Sequence, residues 1–199
     1  MIKAIIFDFD GVIEDNYEAH FGLSKKKIKD LTREEHKKLF EGNIHEQREK
    51  LGERLSNFDL MGCFSNMKST LKIKEEVKEF IVKLSKKYLL GVITSGYEAG
   101  VNVYLKNNNL ESFFDFVYGF ETDKNKDKKF KLFFNERCFG KGEVIFITDT
   151  LGDLLEANKV GIKTIAIDFG FHEAWRLKKG EPWKIVSSFK ELEGIFLTL

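Results

Sequence analysis

Apolar positions follow two alternating rhythms along most of the chain. Ala4, Ile5, Ile6 and Phe7 are apolar in succession, which predicts a strand buried on both faces, the pattern of a central strand in a parallel sheet. Ile73, Val77, Phe80, Ile81, Leu84 and Tyr88 then recur at helical spacing, and Tyr88 to Thr94 reads as a second buried strand. The alternation continues to the end. Val101, Tyr104 and Leu105 mark a helix closed by Asn107 to Asn109, and Phe116 to Phe120 a third strand. Phe130, Phe133, Phe134 and Cys138 mark a helix, Val144 to Ile147 a strand, Leu151 to Asn158 a helix and Thr164 to Ile167 a strand. Ile185 and Val186 predict an edge strand before a closing helix that ends near Phe196. Each parallel crossover needs a connection of helix length, so this order predicts an α/β fold: a doubly wound parallel sheet with helices on both faces.

One stretch breaks the rhythm. Glu14 to Lys72 is polar, helical in period and mixed in charge, and reads as a small α-helical cap inserted after the first strand. Thr32 with Glu35, and Asn43 with Glu46, fit helix starts in which a side chain and the acid three residues on satisfy free amides. Gly42 is expected to end the first of these helices. Leu51, Leu55 and Phe58, and less regularly Leu31, Leu39 and Phe40, give the insertion apolar positions for a small bundle. The expected organisation is therefore a core of residues 1–13 and 73–199 with a cap of residues 14–72.

Composition narrows the class of partner. Lys and Arg total 33 against 32 Asp and Glu, a net charge of +1, so nothing suggests the basic face of a nucleic-acid-binding or membrane-surface protein. A small molecule is the expected partner. Apolar runs stop short of the ~20 residues of a membrane span, and the first one is broken by Asp8 too early for a signal peptide, so a soluble, cytoplasmic protein is expected. Cys63 and Cys138, far apart and without ligand spacing, are expected to be buried thiols.

Candidate chemistry gathers where the strands end. Asp8 and Asp10 close the first strand; residues i and i+2 of an extended chain point the same way, and Gly11 lets the backbone turn off just beyond them. The second strand delivers Thr94-Ser95-Gly96, and the fourth delivers Thr148-Asp149-Thr150-Leu151-Gly152-Asp153. Between them lies the run Asp123 to Lys129. A parallel sheet brings its carboxyl ends to one edge, where open α/β sheets bind ligands, so these groups can meet. An EF-hand calcium loop fits poorly, since it follows a helix and places glycine sixth rather than fourth. His20, His36, His45 and His172 fall on none of these ends and are expected at the surface or packed in the cap. Asp15 and Asn16 are expected to shape the hinge into the cap, and Gly170 to His172 can line the edge of the site.

Taken in order, these motifs resemble the haloacid dehalogenase superfamily, phosphoglycolate phosphatase-like members with a small helical type 1 cap among them. Asp8-Phe-Asp10-Gly-Val matches the first motif, Thr94 the second, a lysine the third, and Asp149 with Asp153 the fourth. The resemblance implies a Mg²⁺-dependent phosphatase acting on a small phosphorylated metabolite. Asp8 would be the nucleophile and Asp10 the general acid and base, with Thr94, Ser95, Gly96 and the lysine on the phosphoryl oxygens. Asp8, the carbonyl of Asp10, Asp149 and Asp153 would serve the metal. Most members place the lysine before a proline, and the chain's only proline is Pro182; Lys126, four residues before Phe130, resembles the proline-less variants, while Lys128 and Lys129 stay open. The same motifs serve a β-phosphoglucomutase-like phosphotransferase. A dehalogenase is disfavoured because Asp10 is present, and a catalytically silent binding protein because neither nucleophile nor metal acid is missing.

Overall fold

In the computed structural model residues 1–50 and 59–199 are described, so Leu51, Leu55 and Phe58 lie outside the described residues. The first strand, β1, spans Ala4–Phe7 and stands at the centre of a six-stranded sheet. The others are β2 (Leu89–Ile93), β3 (Phe116–Tyr118), β4 (Val144–Thr148), β5 (Lys163–Ile167) and β6 (Lys184–Val186). Their order is β3-β2-β1-β4-β5-β6, and every pairing is parallel. This is the doubly wound sheet that the alternation predicted.

Burial explains why β1 is apolar without a break. Ile5 and Phe7 face a core built with α5 (Glu75–Ser85), α6 (Glu98–Asn107) and α10 (Phe189–Leu197), whereas Ala4 and Ile6 face α7 (Lys126–Arg137) and α8 (Leu151–Val160). Helices thus cover both faces. Each large side chain so buried contributes roughly 1.5–3 kcal/mol. The register pairs Phe7 with Val92 and with Ile147, so β1, β2 and β4 end level and present Asp8, Thr94 and Thr148-Asp149 at one edge.

Between β1 and α5 the described chain forms α1 (Tyr17–Lys27), α2 (Arg33–Lys38), α3 (Ile44–Glu49) and α4 (Leu60–Lys68). Thr32 and Glu35 form the expected capping box, and Asn43 caps α3 by accepting from the amides of His45 and Glu46. Gly42 does not end a helix. α2 stops at Lys38, followed by tight turns from Leu39 to Glu41, because the chain must bring the Phe40 carbonyl to the amide of Gly152 at the start of α8, 2.9 Å away. Phe21, Ile28 and Leu31 make a small apolar cluster of their own, and Phe40 packs on Phe171 instead.

A buried arginine ties this helical segment to the sheet domain. Arg176, on the short helix α9 (Ala174–Leu177), is 1% exposed; its guanidinium donates to both oxygens of Glu34 at 3.0 and 2.8 Å and to Glu41. Lys37 pairs with Glu173 beside it, and the Lys37 carbonyl lies 2.9 Å from Nε2 of His172. Across the segment, Asn43 donates to the Lys124 carbonyl, Asn125 and Glu156 at 3.0–3.1 Å.

The expectation of buried thiols fails: Cys63 is half-buried and Cys138, which closes α7 in the left-handed region at φ 55°, is exposed. Of the two places expected for the histidines, surface or packing, all four take the buried one: Tyr17, Phe21 and Phe40 surround His36, Phe64 stacks on His20, and His172 is buried outside the helical segment. Among the described residues no helix is long and apolar enough to cross a membrane.

Candidate active site

The carboxyl edge of β1 turns sharply after its two acids. Gly11 adopts φ +82°, which L side chains avoid, and a methyl there would stand 1.9 Å from Asp149 Oδ2. Glycine is therefore required both by the turn and by the closeness of β4. Phe9 N donates to Asp8 Oδ1 at 2.8 Å, which fixes the buried Asp8 carboxyl.

Of the three candidate lysines, Lys126 is the one that meets the acids. As the first residue of α7 it reaches back beneath the edge, its Nζ 2.8 Å from Asp8 Oδ1 and 2.6 Å from Asp153 Oδ2, with Thr148 Oγ1 donating to the same Asp153 oxygen at 2.7 Å. Burial alone would lower the ammonium pKa, but Asp153 and Asp8 outweigh it and raise it. Lys128 is exposed, with its Nζ 3.5 Å from Asp123. Lys129 is not: one turn along from Lys126, it is fully buried, and its Nζ donates to the Thr94 carbonyl at 2.5 Å. Burial, with Lys126 nearby, pulls it down to about 8. Its stripe includes Phe130 and Phe133, so the helix turns Lys129 inward with them.

Thr94 is buried at the end of β2, and its Oγ1 accepts from Gly96 N at 3.0 Å. It does not cap α6, nor does Ser95; Tyr97 holds that position without a side-chain hydrogen bond. Thr94, Ser95 and Gly96 line a cavity of about 50 Å³.

Asp8, Asp149 and Asp153 outnumber the one ammonium among them, and their protonation adjusts to that. Burial pushes Asp8 well above its ordinary value despite Lys126, and burial holds Asp149 up at about 8. Asp149 accepts from Phe171 N through Oδ2 at 2.7 Å, while its Oδ1 is buried without a partner. Asp153 goes the other way: burial would raise it, but Lys126 and its hydrogen bonds outweigh that. Lys126 bridges Asp8 and Asp153, which also meet each other, whereas Asp10 turns its side chain toward Lys68, Asn16 and His20. No group of three or more His, Cys, Asp or Glu among the described residues is arranged to hold a metal.

Asp10 meets partners that motif spacing did not reveal. Lys68, at the end of α4 and 1% exposed, places Nζ 2.8 Å from Asp10 Oδ1 and 3.1 Å from Oδ2. Asn16 donates to Oδ1 at 2.6 Å, and His20 Nε2 lies 3.3 Å from it. Burial would raise the Asp10 pKa, but Lys68 and then His20 hold it far below the usual carboxylate range. Arg48 of α3 lines the same cavity with Phe40, Met61, Phe64 and Phe171. A signal for both cations existed in the sequence: Lys68 is in helical phase with Met61 and Phe64, and Arg48 follows Ile44 by four residues, so each sits on an apolar face.

Known proteins agree with this architecture. The haloacid dehalogenase-like hydrolase family matches residues 5–167, and the chain belongs to that family. A probable phosphatase, IndB, of Dickeya dadantii is 31% identical over 110 residues, 54% of this chain and 48% of that protein, so the match spans about half of the relative's length. The crystal structure of a predicted phosphatase from Clostridium acetobutylicum superposes over 100% of both chains with a TM-score of 0.82 at 18% identity. A predicted phosphoglycolate phosphatase from Haemophilus somnus covers 98% of both at 0.75 and 16%. At such identities the two structures share the fold.

Proposed function

We propose that the protein is a phosphomonoester hydrolase that works through an aspartyl-phosphate on Asp8. The observation that carries this reading is the buried Lys126 ammonium bridging Asp8 and Asp153 at the sheet edge, level with the Thr94 hydroxyl and directly under the cavity. A carboxylate oxygen of Asp8 attacks phosphorus, and the ester P–O bond breaks. Lys68 and His20 hold Asp10 ionised in the free protein, so Asp10 takes up the proton of the bound phosphate monoanion and passes it to the leaving oxygen; water then attacks the aspartyl-phosphate and gives its proton to Asp10, general acid/base work worth ~10²–10⁴ in rate. Lys126, the Thr94 hydroxyl and the Ser95–Gly96 turn, whose Gly96 amide holds Thr94 Oγ1, line the place of the phosphoryl oxygens, where transition-state charge is spread.

The residues fit a Mg²⁺ ion by their chemistry. Oxygen donors predominate around Asp8 and Asp149, and Asp149 Oδ1 is buried without a partner. Asp8, the Asp10 carbonyl and Asp149 would hold the ion, with Asp153 beside them, and its charge would offset the repulsion between the attacking carboxylate and the phosphate. Residues 14–72 act as a cap over a core of residues 1–13 and 73–199, and the substrate is a small phosphorylated metabolite. Hydrolysis of an aryl phosphate, followed with Mg²⁺ and again after thorough treatment with EDTA, tests the reading. Phosphate release that EDTA abolishes is the expected result; no release with Mg²⁺ present sinks the hydrolase, and release undiminished by EDTA sinks the metal.

A further inference from the structure

One buried charge at the sheet edge takes no part in the attack or in the proton transfers. Lys129, on the inward stripe of α7, is fully buried, and its Nζ donates to the Thr94 carbonyl at 2.5 Å. No carboxylate lies within ion-pair distance of it among the described residues. The charged and titratable groups that face it are Lys126 one turn back on α7, Glu156 and Asp153 on α8, Asp8 at the end of β1 and His45 on α3. Glu156 is already held by Asn43, whose side-chain amide donates to it at 3.0 Å. A buried ammonium against one neutral oxygen is costly to keep, and a methionine would fill the same apolar stripe without that cost.

What the ammonium holds is a peptide at the wall of the cavity. The unit joining Thr94 to Ser95 is planar and trans, so its C=O and N–H point to opposite sides. Thr94 and Ser95 line the cavity with Asp8 and Lys126, whereas Lys129 does not. With the carbonyl bound to Lys129, the Ser95 N–H is left on the other side, without an acceptor among the described residues. A flipped peptide would instead turn a carbonyl oxygen toward an incoming phosphate. We propose that Lys129 is a positioning residue: its ammonium locks the Thr94–Ser95 peptide against flipping and draws electrons through the carbonyl, so that the Ser95 N–H becomes a stronger donor and binds a phosphoryl oxygen. This rests on the phosphohydrolase reading and adds to it a residue that never touches the substrate. The rest of the turn is fixed without Lys129, since Thr94 N donates to the Tyr118 carbonyl and Gly96 N to Thr94 Oγ1, each at 3.0 Å. Only the peptide between them depends on the lysine. Linked hydrogen bonds polarise one another in a buried setting, and a donor set where charge develops acts in kcat more than in KM.

Phosphate release from an aryl phosphate with Mg²⁺, followed from pH 6 to 10 in the wild type, Lys129→Met and Lys129→Arg, tests this. Lys129→Met should lower kcat roughly 10-fold or more with KM changed less than about 3-fold, as when a donor to developing charge is weakened rather than removed. Lys129→Arg should recover part of the loss. Burial, with Lys126 nearby, holds Lys129 at about 8, so kcat/KM of the wild type should fall above that pH as the ammonium gives up its proton. Lys129→Arg, charged throughout, should carry its rate further into alkali, and Lys129→Met should be slow at every pH. Undiminished kcat in Lys129→Met, or a profile above pH 8 that Lys129→Arg fails to shift, overturns the inference and leaves the hydrolase standing. Melting curves show whether the variants fold; should Lys129→Met not fold, the alkaline limb of Lys129→Arg decides alone. If the wild type turns over no phosphomonoester, the hydrolase reading fails, and calorimetric binding of orthovanadate decides the role of Lys129. Affinity weakened roughly 10-fold or more in Lys129→Met then supports it, while equal affinities, or no binding by the wild type, overturn it.

Discussion

Two lysines three residues apart show how much one turn of helix decides. Lys126 and Lys129 are both buried at the start of α7, yet the first lies between two carboxylates and the second against a single carbonyl. Lys126→Ala should lower kcat/KM by on the order of 10² or more, as for a charge placed in advance in a water-poor site, while Lys128→Ala, at an exposed position, should shift stability by no more than ~0.5 kcal/mol. Steady-state kinetics and melts of the two variants check this. For Lys129 the readout is pH. Its folded value, about 8, lies below its ordinary one of 10.5, so between those values the unfolded chain binds more protons and this group's contribution to stability rises with pH. Lys129→Met should remove that rise from denaturant midpoints measured from pH 8 to 10; an unchanged slope would show that the ammonium is not desolvated. Asp8→Asn should abolish turnover with a melting curve like the wild type's, because the amide keeps the shape and loses the nucleophile.

At the scale of elements, the strand ends were legible in the sequence, and so was the helical character of residues 14–72, but not what that segment packs against. β1, β2 and β4 announce themselves because burial on both faces leaves an unbroken apolar run, and Asp8, Thr94 and Asp149 follow directly from where those runs stop. Thr32 and Asn43 were legible too, since a cap is a local exchange of hydrogen bonds. Lys68, Arg48 and His20 were hidden because their partners come from other elements, and charge in a polar segment looks solvated until the tertiary contacts are known. The same reason hid the close packing at the start of α8. A methyl on Gly152 would stand 2.2 Å from the Gly42 carbonyl and 2.9 Å from that of Phe40, so Gly152→Ala should force the segment between α2 and α3 away from the sheet domain. Under the cap reading the expected outcome is a raised KM with a smaller change in Tm; kinetics and melting of the one variant report both.

Across the whole molecule, burial of imidazoles makes acid the weak side. His36 is pulled down to about 3, and His45 and His172 to about 4, in each case first by burial. Between those values and the ordinary 6.5 the unfolded chain takes up protons that the folded one refuses, so stability falls as the pH drops from about 6.5 toward 4. Tm measured at pH 7 and 4.5 should show a loss, and His36→Phe, which keeps a ring among Tyr17, Phe21 and Phe40, should reduce it. A pH-independent Tm over that range would show that the rings are not sealed from water.

The Arg176 clasp also has a bearing on the order of folding. Its partners Glu41 and Glu34 precede it by 135 and 142 residues, and β1 needs Val144 to Ile147 to fill its second edge. The central strand and the helical segment are therefore made early and completed late: β1 gains β2 on one side but keeps an open apolar edge until β4 arrives, and the Arg176 clasp closes on the segment later still. Such distant closures slow folding, because loop entropy is lost before the contacts repay it. During synthesis, then, the most aggregation-prone interval falls between emergence of β1 and of β4, when the future centre of the sheet is still an open edge.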